Sequence, residues 1–254
     1  MSWPSLHGKR LLAVIAHPDD ESYAMAGTLA LCSQHGAQVR VLCMSNGDAG
    51  RDRRSLVQSG SALGKLRKQE LQNSCRAIGV DTPHCLGFPD GELEFADLEP
   101  FVKLHIREFE PQVAITLGLD GAYGHVDHIA TTRTLSRAAK KSDLRILHTA
   151  FEPGLFEPIY RNIKRWRPTL INPNLRRSQL GCPRADTALK VPIKSVREIK
   201  LGSIAAHISQ LEAGDPMSFL MPGLIEMLLD EERFTLAQGP ALPPNAVHPF
   251  EGLA

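Results

Sequence analysis

Two short segments of the chain concentrate side chains that bind metal ions and transfer protons. In the first segment, His17 is followed within three positions by two adjacent carboxylates, Asp19 and Asp20. Neighbouring carboxylates repel each other, and burying them is costly unless a cation compensates their charge. We therefore expect a divalent metal ion here, bound by His17 and Asp20 across a turn, while Asp19 points elsewhere into the pocket.

The second segment contributes two histidines, His125 and His128, which are three positions apart and can share one face of a helix. Asp127, between them, can orient an imidazole ring. One of these histidines would complete a set of two histidines and one carboxylate with an open position for water, which suits catalytic zinc. A further free carboxylate could then act as general base. The same ligand set is typical of non-haem iron oxygenases, so the residues alone leave a hydrolase and an oxygenase open.

The side chains of the two segments are positioned by the elements around them. In the first part of the chain, predicted strands alternate with predicted helices. Short apolar runs predict strands, and apolar residues at helical spacing predict helices. The predicted strands are 11–16, 39–44, 84–86, 112–117 and 144–150, and the predicted helices are 22–35, 62–79, 97–109 and 125–140. This order predicts an α/β fold, a Rossmann-like three-layer sandwich with a mainly parallel sheet. Both metal-binding segments follow a predicted strand, so we expect the metal site at the carboxyl ends of the strands.

The second half of the chain is less regular. Proline-containing sequence predicts no regular element at about 152–184, and the tail from about 239 is also expected to be irregular. Between these segments we predict a strand at 188–193 and helices at 195–211 and 222–229. No feature separates a second domain, so residues 1–254 are expected to form a single domain.

A basic segment, residues 161–184, contains several arginines and lysines and no acidic residue. One interpretation is a wall of the site that receives an anionic part of the substrate, because guanidinium groups bind carboxylates and phosphates. The other interpretation is a solvated loop or a contact between subunits. The sequence favours the second interpretation.

Composition excludes several classes of partner. The chain has 254 residues and a formal net charge of +1, so no overall field favours nucleic acid or an anionic membrane. No apolar run approaches the ~20 residues that cross a bilayer, and the N-terminus lacks the apolar stretch of a signal peptide. We expect a cytoplasmic protein without a membrane span, and a homo-oligomer is left open.

Several motifs, in order along the chain, resemble one known family. Residues 16–21, Ala-His-Pro-Asp-Asp-Glu, followed by Gly27-Thr28-Leu29, resemble the signature of the zinc-dependent N-acetylglucosaminyl deacetylases of the PIG-L, or LmbE-like, family. Residues 45–50, 67–70, 86–91, 124–128 and 207–210 resemble later blocks, so the resemblance covers most of residues 10–212. Many members have a glycine at the position of Ala26, a departure that bears on helix packing rather than on the chemistry.

The resemblance implies a role for each residue of the two segments. The ligands of Zn²⁺, or of another divalent metal such as Fe²⁺, would be His17, Asp20 and His128. Asp19 would be the general base that takes a proton from water on the metal. His125 would stabilise the oxyanion, and Asp127 would hold or polarise a neighbouring histidine.

The resemblance also implies residues that bind the substrate. Arg67 and Asp90 match positions expected to hold sugar hydroxyls, and Tyr123 matches a tyrosine placed near the reacting carbonyl. Arg67 has an alternative interpretation as part of a solvated helix face, and Tyr123 as an aromatic packed on the rim. Glu21 is interpreted as a carboxylate at a helix N-terminus or behind the ligands. His207 either reaches the pocket or packs on an apolar helix.

The residues alone predict a metal-dependent hydrolase or oxygenase, and the resemblance implies hydrolysis of the N-acetyl group of a small amino-sugar conjugate of the N-acetylglucosamine type. Two alternatives are kept. One is a sugar- or nucleotide-binding module that has lost catalysis, and the other is the non-haem iron oxygenase. Retention of every ligand position together with Asp19 argues against the binding module, because a site without chemistry has no reason to keep a base.

Overall fold

The computed structural model describes residues 3–253, which contain a seven-stranded sheet with helices on both faces. The strands are β1 (Arg10–Ile15), β2 (Gln38–Ser45), β3 (His84–Phe88), β4 (Val113–Thr116), β5 (Arg145–Thr149), β6 (Leu189–Pro192) and β7 (Glu231–Gln238). Their order across the sheet is β3-β2-β1-β4-β5-β7-β6. The first five strands pair in parallel, and β7 runs antiparallel to both of its neighbours. The predicted α/β fold with a mainly parallel sheet is confirmed.

Helices cover the two faces of this sheet. They are α1 (Asp20–Ala24), α2 (Ala26–Gln34), α3 (Ser61–Ile78), α4 (Glu99–Phe109), α5 (Gly121–Gly124), α6 (Val126–Ala138), α7 (Glu157–Trp166) and α8 (Arg197–Ala205). Leu11, Ala13 and Ile15 of β1 pack with residues of α2, α3 and α8, whereas Leu12 and Val14 pack with residues of α4 and α6. Because neither face of β1 meets solvent, its sequence is a continuous apolar run without polar alternation.

The segment expected to lack regular structure contains α7, so the prediction for about 152–184 was wrong there. Phe156, Ile159, Tyr160 and Ile163 recur at helical spacing and are buried or half-buried. Pro158 does not interrupt this helix because it lies in the first turn, where a backbone N–H has no intrahelical partner. The helical spacing was therefore a better guide than the proline content.

Three further differences concern the ends of the elements. The predicted helix at 22–35 is interrupted at Met25, whose φ of −152° separates α1 from α2. The predicted helix at 195–211 ends at Ala205, so His207 lies in the turn after α8 and not on a helix. The predicted helix at 222–229 is a 3₁₀ turn, Ile225–Leu228, and the strand β7 that follows it was not predicted.

Within residues 3–253, no helix is both long enough and apolar enough to cross a bilayer.

Candidate active site

Two neighbouring strands end at the same edge of the sheet and bring the two predicted segments together. β1 ends shortly before His17, and its parallel neighbour β4 ends before the loop that leads to α6. His125 caps the N-terminus of α6, because its Nδ1 accepts the backbone N–H of Asp127 at 3.2 Å. The first turn of α6 then places His128 against His17.

His17, Asp20 and His128 form a buried group whose ligand atoms face one another. His17 Nδ1 lies 3.2 Å from His128 Nε2 and 3.8 Å from Asp20 Oδ2. Asp20 Oδ1 lies 3.3 Å from His128 Nε2. Ligand atoms bound tetrahedrally at about 2.1 Å are roughly 3.4 Å apart, so this donor set fits a divalent cation of the size of Zn²⁺.

Each imidazole of this group is oriented through its second ring nitrogen. His17 Nε2 lies 3.1 Å from Asp127 Oδ2 and 3.0 Å from Asp90 Oδ1. His128 Nδ1 lies 3.0 Å from the carbonyl oxygen of Gly121. Because these oxygens only accept hydrogen bonds, we assign a hydrogen to each of these nitrogens, which leaves the lone pair of the facing nitrogen for a metal. Burial lowers the pKa of His128 to about 3, whereas the carboxylates of Asp90 and Asp127 outweigh burial and raise the pKa of His17. His128 is therefore neutral, and His17 has to release a proton when it binds a metal.

A second combination, His17, His125 and Asp127, also brings possible ligand atoms together. The Asp127 carboxylate, however, accepts the backbone N–H groups of Gly91 and Leu93 at 2.7 and 3.1 Å, in addition to His17 Nε2. A carboxylate with these partners orients a histidine from behind the metal. The donor chemistry therefore favours His17, Asp20 and His128 as the candidate metal centre.

The carboxylate of Asp19 lies beside this group and pairs with Arg67. Arg67 Nη2 donates to Asp19 Oδ2 at 2.8 Å, and the same guanidinium donates to the carbonyl oxygens of Pro18 and Gly47 at 2.6 and 2.9 Å. Burial raises the pKa of Asp19 to about 6, and Arg67 opposes that shift. Arg67 is only 4% exposed, so its interpretation as part of a solvated helix face is wrong.

The structure brings the nine predicted site residues to one place. Six of them line a cavity of about 360 Å³, namely His17, Asp19, Arg67, Asp90, Tyr123 and His125. The other three, Asp20, Asp127 and His128, are buried against His17. The arrangement is a buried cation-binding group next to a carboxylate that faces open space, which is suited to activating water.

Tyr123 both packs against its neighbours and lines the cavity. Its ring centroid lies 5.3 Å from that of His128 and 6.0 Å from that of Phe156. The preceding Ala122 has a φ of 63°, which a residue with a β-carbon rarely adopts. Asp120 supports this turn by accepting the N–H of Ala122 at 3.1 Å. The two interpretations of Tyr123 are therefore compatible with each other.

Besides the predicted site residues, apolar side chains and two arginines line the cavity. Ile159 and Ile163 of α7 line one part of the wall, and Leu220 lines another. Arg53 and Arg167 also line the cavity, and within residues 3–253 neither guanidinium forms an ion pair with a carboxylate. The sequence analysis offered the basic segment as a wall of the site, but it assigned no helix there and so did not predict the apolar side chains that α7 contributes to the wall.

Most of the basic segment lies away from the cavity. Arg161 and Arg177 pair with Glu157, and Arg184 pairs with Glu231. Among the basic residues of 161–184, all of which the structure describes, Arg167 alone lines the cavity. The basic side chains of the segment are exposed, and these ion pairs join them to acidic residues outside it, which agrees with the preferred interpretation as a solvated segment.

Sequence reasoning also missed the pairing of Glu21 with His207. Glu21 Oε1 lies 2.7 Å from His207 Nε2, and both residues are fully buried. No periodicity or local spacing signals a contact between positions 186 residues apart. The block at 207–210 was the available signal, but it did not reveal the partner.

Two relatives that are similar to this chain in sequence are named as deacetylases. The family model described as PIG-L, GlcNAc-PI de-N-acetylase, matches residues 12–139. A 1D-myo-inositol 2-acetamido-2-deoxy-alpha-D-glucopyranoside deacetylase of Saccharomonospora viridis is 27% identical over 256 residues, which cover 91% of this chain and 96% of that protein. A "Probable N-acetyl-alpha-D-glucosaminyl L-malate deacetylase 2" of Bacillus subtilis is 31% identical over 211 residues, covering 80% of this chain and 84% of that protein.

A solved structure extends the comparison to the fold. The N,N'-diacetylchitobiose deacetylase from Pyrococcus horikoshii is similar with a TM-score of 0.63 and 24% sequence identity, covering 90% of this chain and 84% of the other. At this identity the likeness shows a common fold. The family model adds the sequence relationship over half of the chain, including both segments of the candidate site. The chain belongs to the PIG-L, or LmbE-like, family.

Proposed function

We propose that this protein hydrolyses the N-acetyl group of an N-acetylglucosamine-type sugar or conjugate, with a divalent metal ion held by His17, Asp20 and His128. The observation that carries the proposal is the buried His-Asp-His group with the separate carboxylate of Asp19 beside it at a cavity. Membership of the family supports deacetylation, because the relatives are named as deacetylases of an inositol and a malate conjugate of this sugar. Zn²⁺ is the proposed metal and Fe²⁺ its alternative.

Asp19 is the proposed general base. A bound divalent ion would supply Lewis acidity, lowering the pKa of a water molecule toward ~7 and polarising the amide carbonyl. Asp19 faces the cavity and accepts a proton from that water as it attacks the carbonyl carbon. When the C–N bond breaks, the same carboxyl group can return the proton to the amine of the sugar, and acetate is released. Arg67 keeps the Asp19 carboxylate in place through its ion pair.

His125 is proposed to stabilise the negative charge that develops on the carbonyl oxygen. Its Nδ1 accepts the N–H of Asp127, so we assign the ring hydrogen to Nε2, which remains a donor at the cavity. A fixed donor at the oxyanion lowers the barrier because it needs no reorganisation during the reaction. Asp127 acts indirectly, by holding the ring of His17.

The sugar is proposed to bind against Asp90, Arg67 and Tyr123. Asp90 Oδ2 accepts the backbone N–H of Ala49 at 3.0 Å, and each of its oxygens retains a lone pair for a sugar hydroxyl. The remainder of the conjugate would extend along the α7 wall toward Arg167.

Acetate release tests the proposed function. The protein loaded with Zn²⁺ is assayed on N-acetylglucosamine and on its inositol, malate and chitobiose conjugates. Asp19→Ala is expected to lower kcat about 10²–10⁴-fold, the usual contribution of general base catalysis, while metal content stays stoichiometric. Asp97→Ala, which changes an exposed acidic residue, is the matched control and should keep full activity. Turnover near the wild-type rate in Asp19→Ala would contradict the mechanism.

The same assays separate the alternatives. A binding module that has lost catalysis would bind a conjugate and release no acetate. An oxygenase would consume O₂ in the presence of Fe²⁺, again without acetate. The carboxylate of Asp19 beside the ligand group favours hydrolysis, since neither alternative requires a base at that position.

A further inference from the structure

The backbone of Asp19 adopts a strained conformation. Its φ is 125° and its ψ is −23°, in a region that residues with a β-carbon rarely occupy. Strain of this kind persists when the surrounding structure imposes it, and it concentrates at functional sites. Here it turns two successive carboxylates in different directions, so that Asp19 faces the cavity and Arg67 while Asp20 faces His128.

The peptide group between Pro18 and Asp19 is held on both sides, because Arg67 donates to the carbonyl oxygen of Pro18 at 2.6 Å and a buried carboxylate accepts the N–H. The backbone N–H of Asp19 donates to Glu21 Oε2 at 3.1 Å. The other oxygen of Glu21 accepts from Ser74 Oγ at 2.5 Å and faces His207 Nε2 at 2.7 Å. Glu21 is 0% exposed and lines no part of the cavity. Its carboxylate is therefore directed at the backbone of Asp19 and away from the substrate.

His207 is itself held in place by the segment that follows it. Ser209 donates its backbone N–H and its hydroxyl to the two oxygens of Glu70, at 2.7 and 2.8 Å. This double contact ties residues 207–210 to α3, which also carries Ser74. Glu21 thus has donors on a neighbouring helix and on a turn from the other end of the chain, and neither donor lies on α1.

We propose that Glu21 and His207 are positioning residues that hold the strained backbone of Asp19, so that its carboxylate is aimed at the reacting water. Glu21 acts directly on the Asp19 peptide, and His207 acts through Glu21. The inference rests on the proposed role of Asp19 as general base. It assigns a task to two buried residues of the family motifs that are not among the proposed metal ligands and do not line the cavity.

Kinetic constants of two variants test the proposal. Glu21→Gln and His207→Leu should each lower kcat on the order of 10²-fold, because an error of about 1 Å in a catalytic group has this effect. KM should stay within about twofold, since no substrate contact is removed. His207→Gln should recover part of the loss, because its amide N–H can still donate to Glu21. Ser203→Ala, which removes a partner of Ser74 but none of Glu21, is the control and should leave kcat unchanged.

A double-mutant cycle separates positioning from a general structural role. Once Asp19→Ala has removed the carboxylate, its orientation can no longer affect catalysis. Glu21→Gln in that background should therefore change kcat by less than about twofold. The positioning role would be overturned if Glu21→Gln lowered kcat as much in the Asp19→Ala background as in the wild type. It would also be overturned if lower metal content explained the decrease in kcat. Ser74→Ala, a milder change to the same carboxylate, repeats the cycle if Glu21→Gln does not fold.

The cycle also distinguishes this proposal from the proposed function. If Asp19→Ala alone retains nearly wild-type turnover, Asp19 is not the base, and both ideas fail together. If Asp19→Ala is strongly impaired but the effect of Glu21→Gln multiplies with it, only the positioning role is wrong.

Discussion

Two adjacent aspartates, identical in chemistry, take different positions because their hydrogen-bond partners differ. Asp20 Oδ2 accepts the backbone N–H groups of Ala16 and His17 at 3.2 and 3.0 Å, and its Oδ1 accepts the hydroxyl of Tyr23 at 3.2 Å. Asp19 pairs with Arg67 instead. In the proposed mechanism this difference separates metal binding from proton transfer.

A histidine outside the site makes stability depend on pH. His148, on β5, is 6% exposed, and within residues 3–253 its Nε2 has no hydrogen-bond partner. Burial lowers the pKa of His148 from 6.5 to about 4. In the unfolded chain, His148 therefore binds a proton near pH 6.5. In the folded protein it binds this proton only near pH 4. The free energy of unfolding should be unaffected above pH 7 and should fall as the pH decreases between these values.

The shift of the His148 pKa is expected to lower the free energy of unfolding at acidic pH by about 3 kcal/mol, since one pKa unit corresponds to about 1.4 kcal/mol. Urea unfolding of the wild type and of His148→Gln at pH 7.5, 6 and 5 measures it, and the variant should show a shallower acid slope. His7→Gln, which changes an exposed histidine, is the control and should retain the wild-type slope. The prediction would be contradicted if the free energy of unfolding depended on pH in the same way in His148→Gln and in the wild type.

At the scale of elements, the unpredicted strand β7 supports the helix beside the site. Glu232 of β7 accepts the backbone N–H groups of Gly27 and Thr28, in the first turn of α2, at 2.9 and 2.7 Å. These donors have no partner within the helix. Lys200 of α8 donates to the same carboxylate at 2.6 Å, and both side chains are buried. One buried ion pair thus connects α2, α8 and the antiparallel strand β7.

Removing one member of this pair should destabilise the protein strongly. Lys200→Met is expected to lower the free energy of unfolding by about 3–5 kcal/mol, because it leaves a buried charge without its counter-charge. Lys194→Met removes an exposed pair with Asp230 and should cost no more than about 1 kcal/mol. Denaturant unfolding compares the two variants. Equal decreases in the free energy of unfolding would show that the buried ion pair stabilises the protein no more than the exposed pair does.

Arg167, directly after α7, lines the cavity and should affect anionic conjugates selectively. Arg167→Glu is expected to raise KM for a malate conjugate roughly fivefold, equivalent to about 1 kcal/mol at a solvent-exposed site. KM for an uncharged conjugate should change little. Arg165→Glu makes the same change in charge outside the cavity, where the guanidinium stacks on Trp166, and is the matched control. Equal effects of both variants would reject a local role of Arg167.

At the scale of the whole molecule, the candidate metal centre joins two strand–helix units of the sheet. His17 and Asp20 follow β1, and His128 belongs to α6, which follows β4. A ligand that binds only the folded state stabilises it by about 2.7 kcal/mol at a concentration 100-fold above its Kd. Removing the metal with a chelator should therefore lower Tm, and adding Zn²⁺ should restore it. His128→Ala should show no such response. A Tm in the wild type that is independent of metal would contradict the assignment of the ligands.

The sequence by itself determined the parallel part of the sheet and the place of the site. Apolar runs without alternation predict strands buried on both faces, and β1 and β4 are such strands. Parallel strands bring their carboxyl ends to one edge, so the residues after them meet there without further information. This local logic is enough to bring His17 and Asp20 together with His125 and His128, and the resemblance to the family then selects His128 as the third ligand.

Only the tertiary structure decided how those residues are supported. Arg67 has the same helical spacing whether it is solvated or buried, and its burial depends on the loop at Gly47 that packs over it. The partner of Glu21 is His207, far along the chain, and the partner of Lys200 comes from a strand that pairs antiparallel at the far side of the sheet. Periodicity reports how one segment divides between core and solvent. It carries no information about which distant segment supplies a hydrogen-bond partner, because that choice is made by packing.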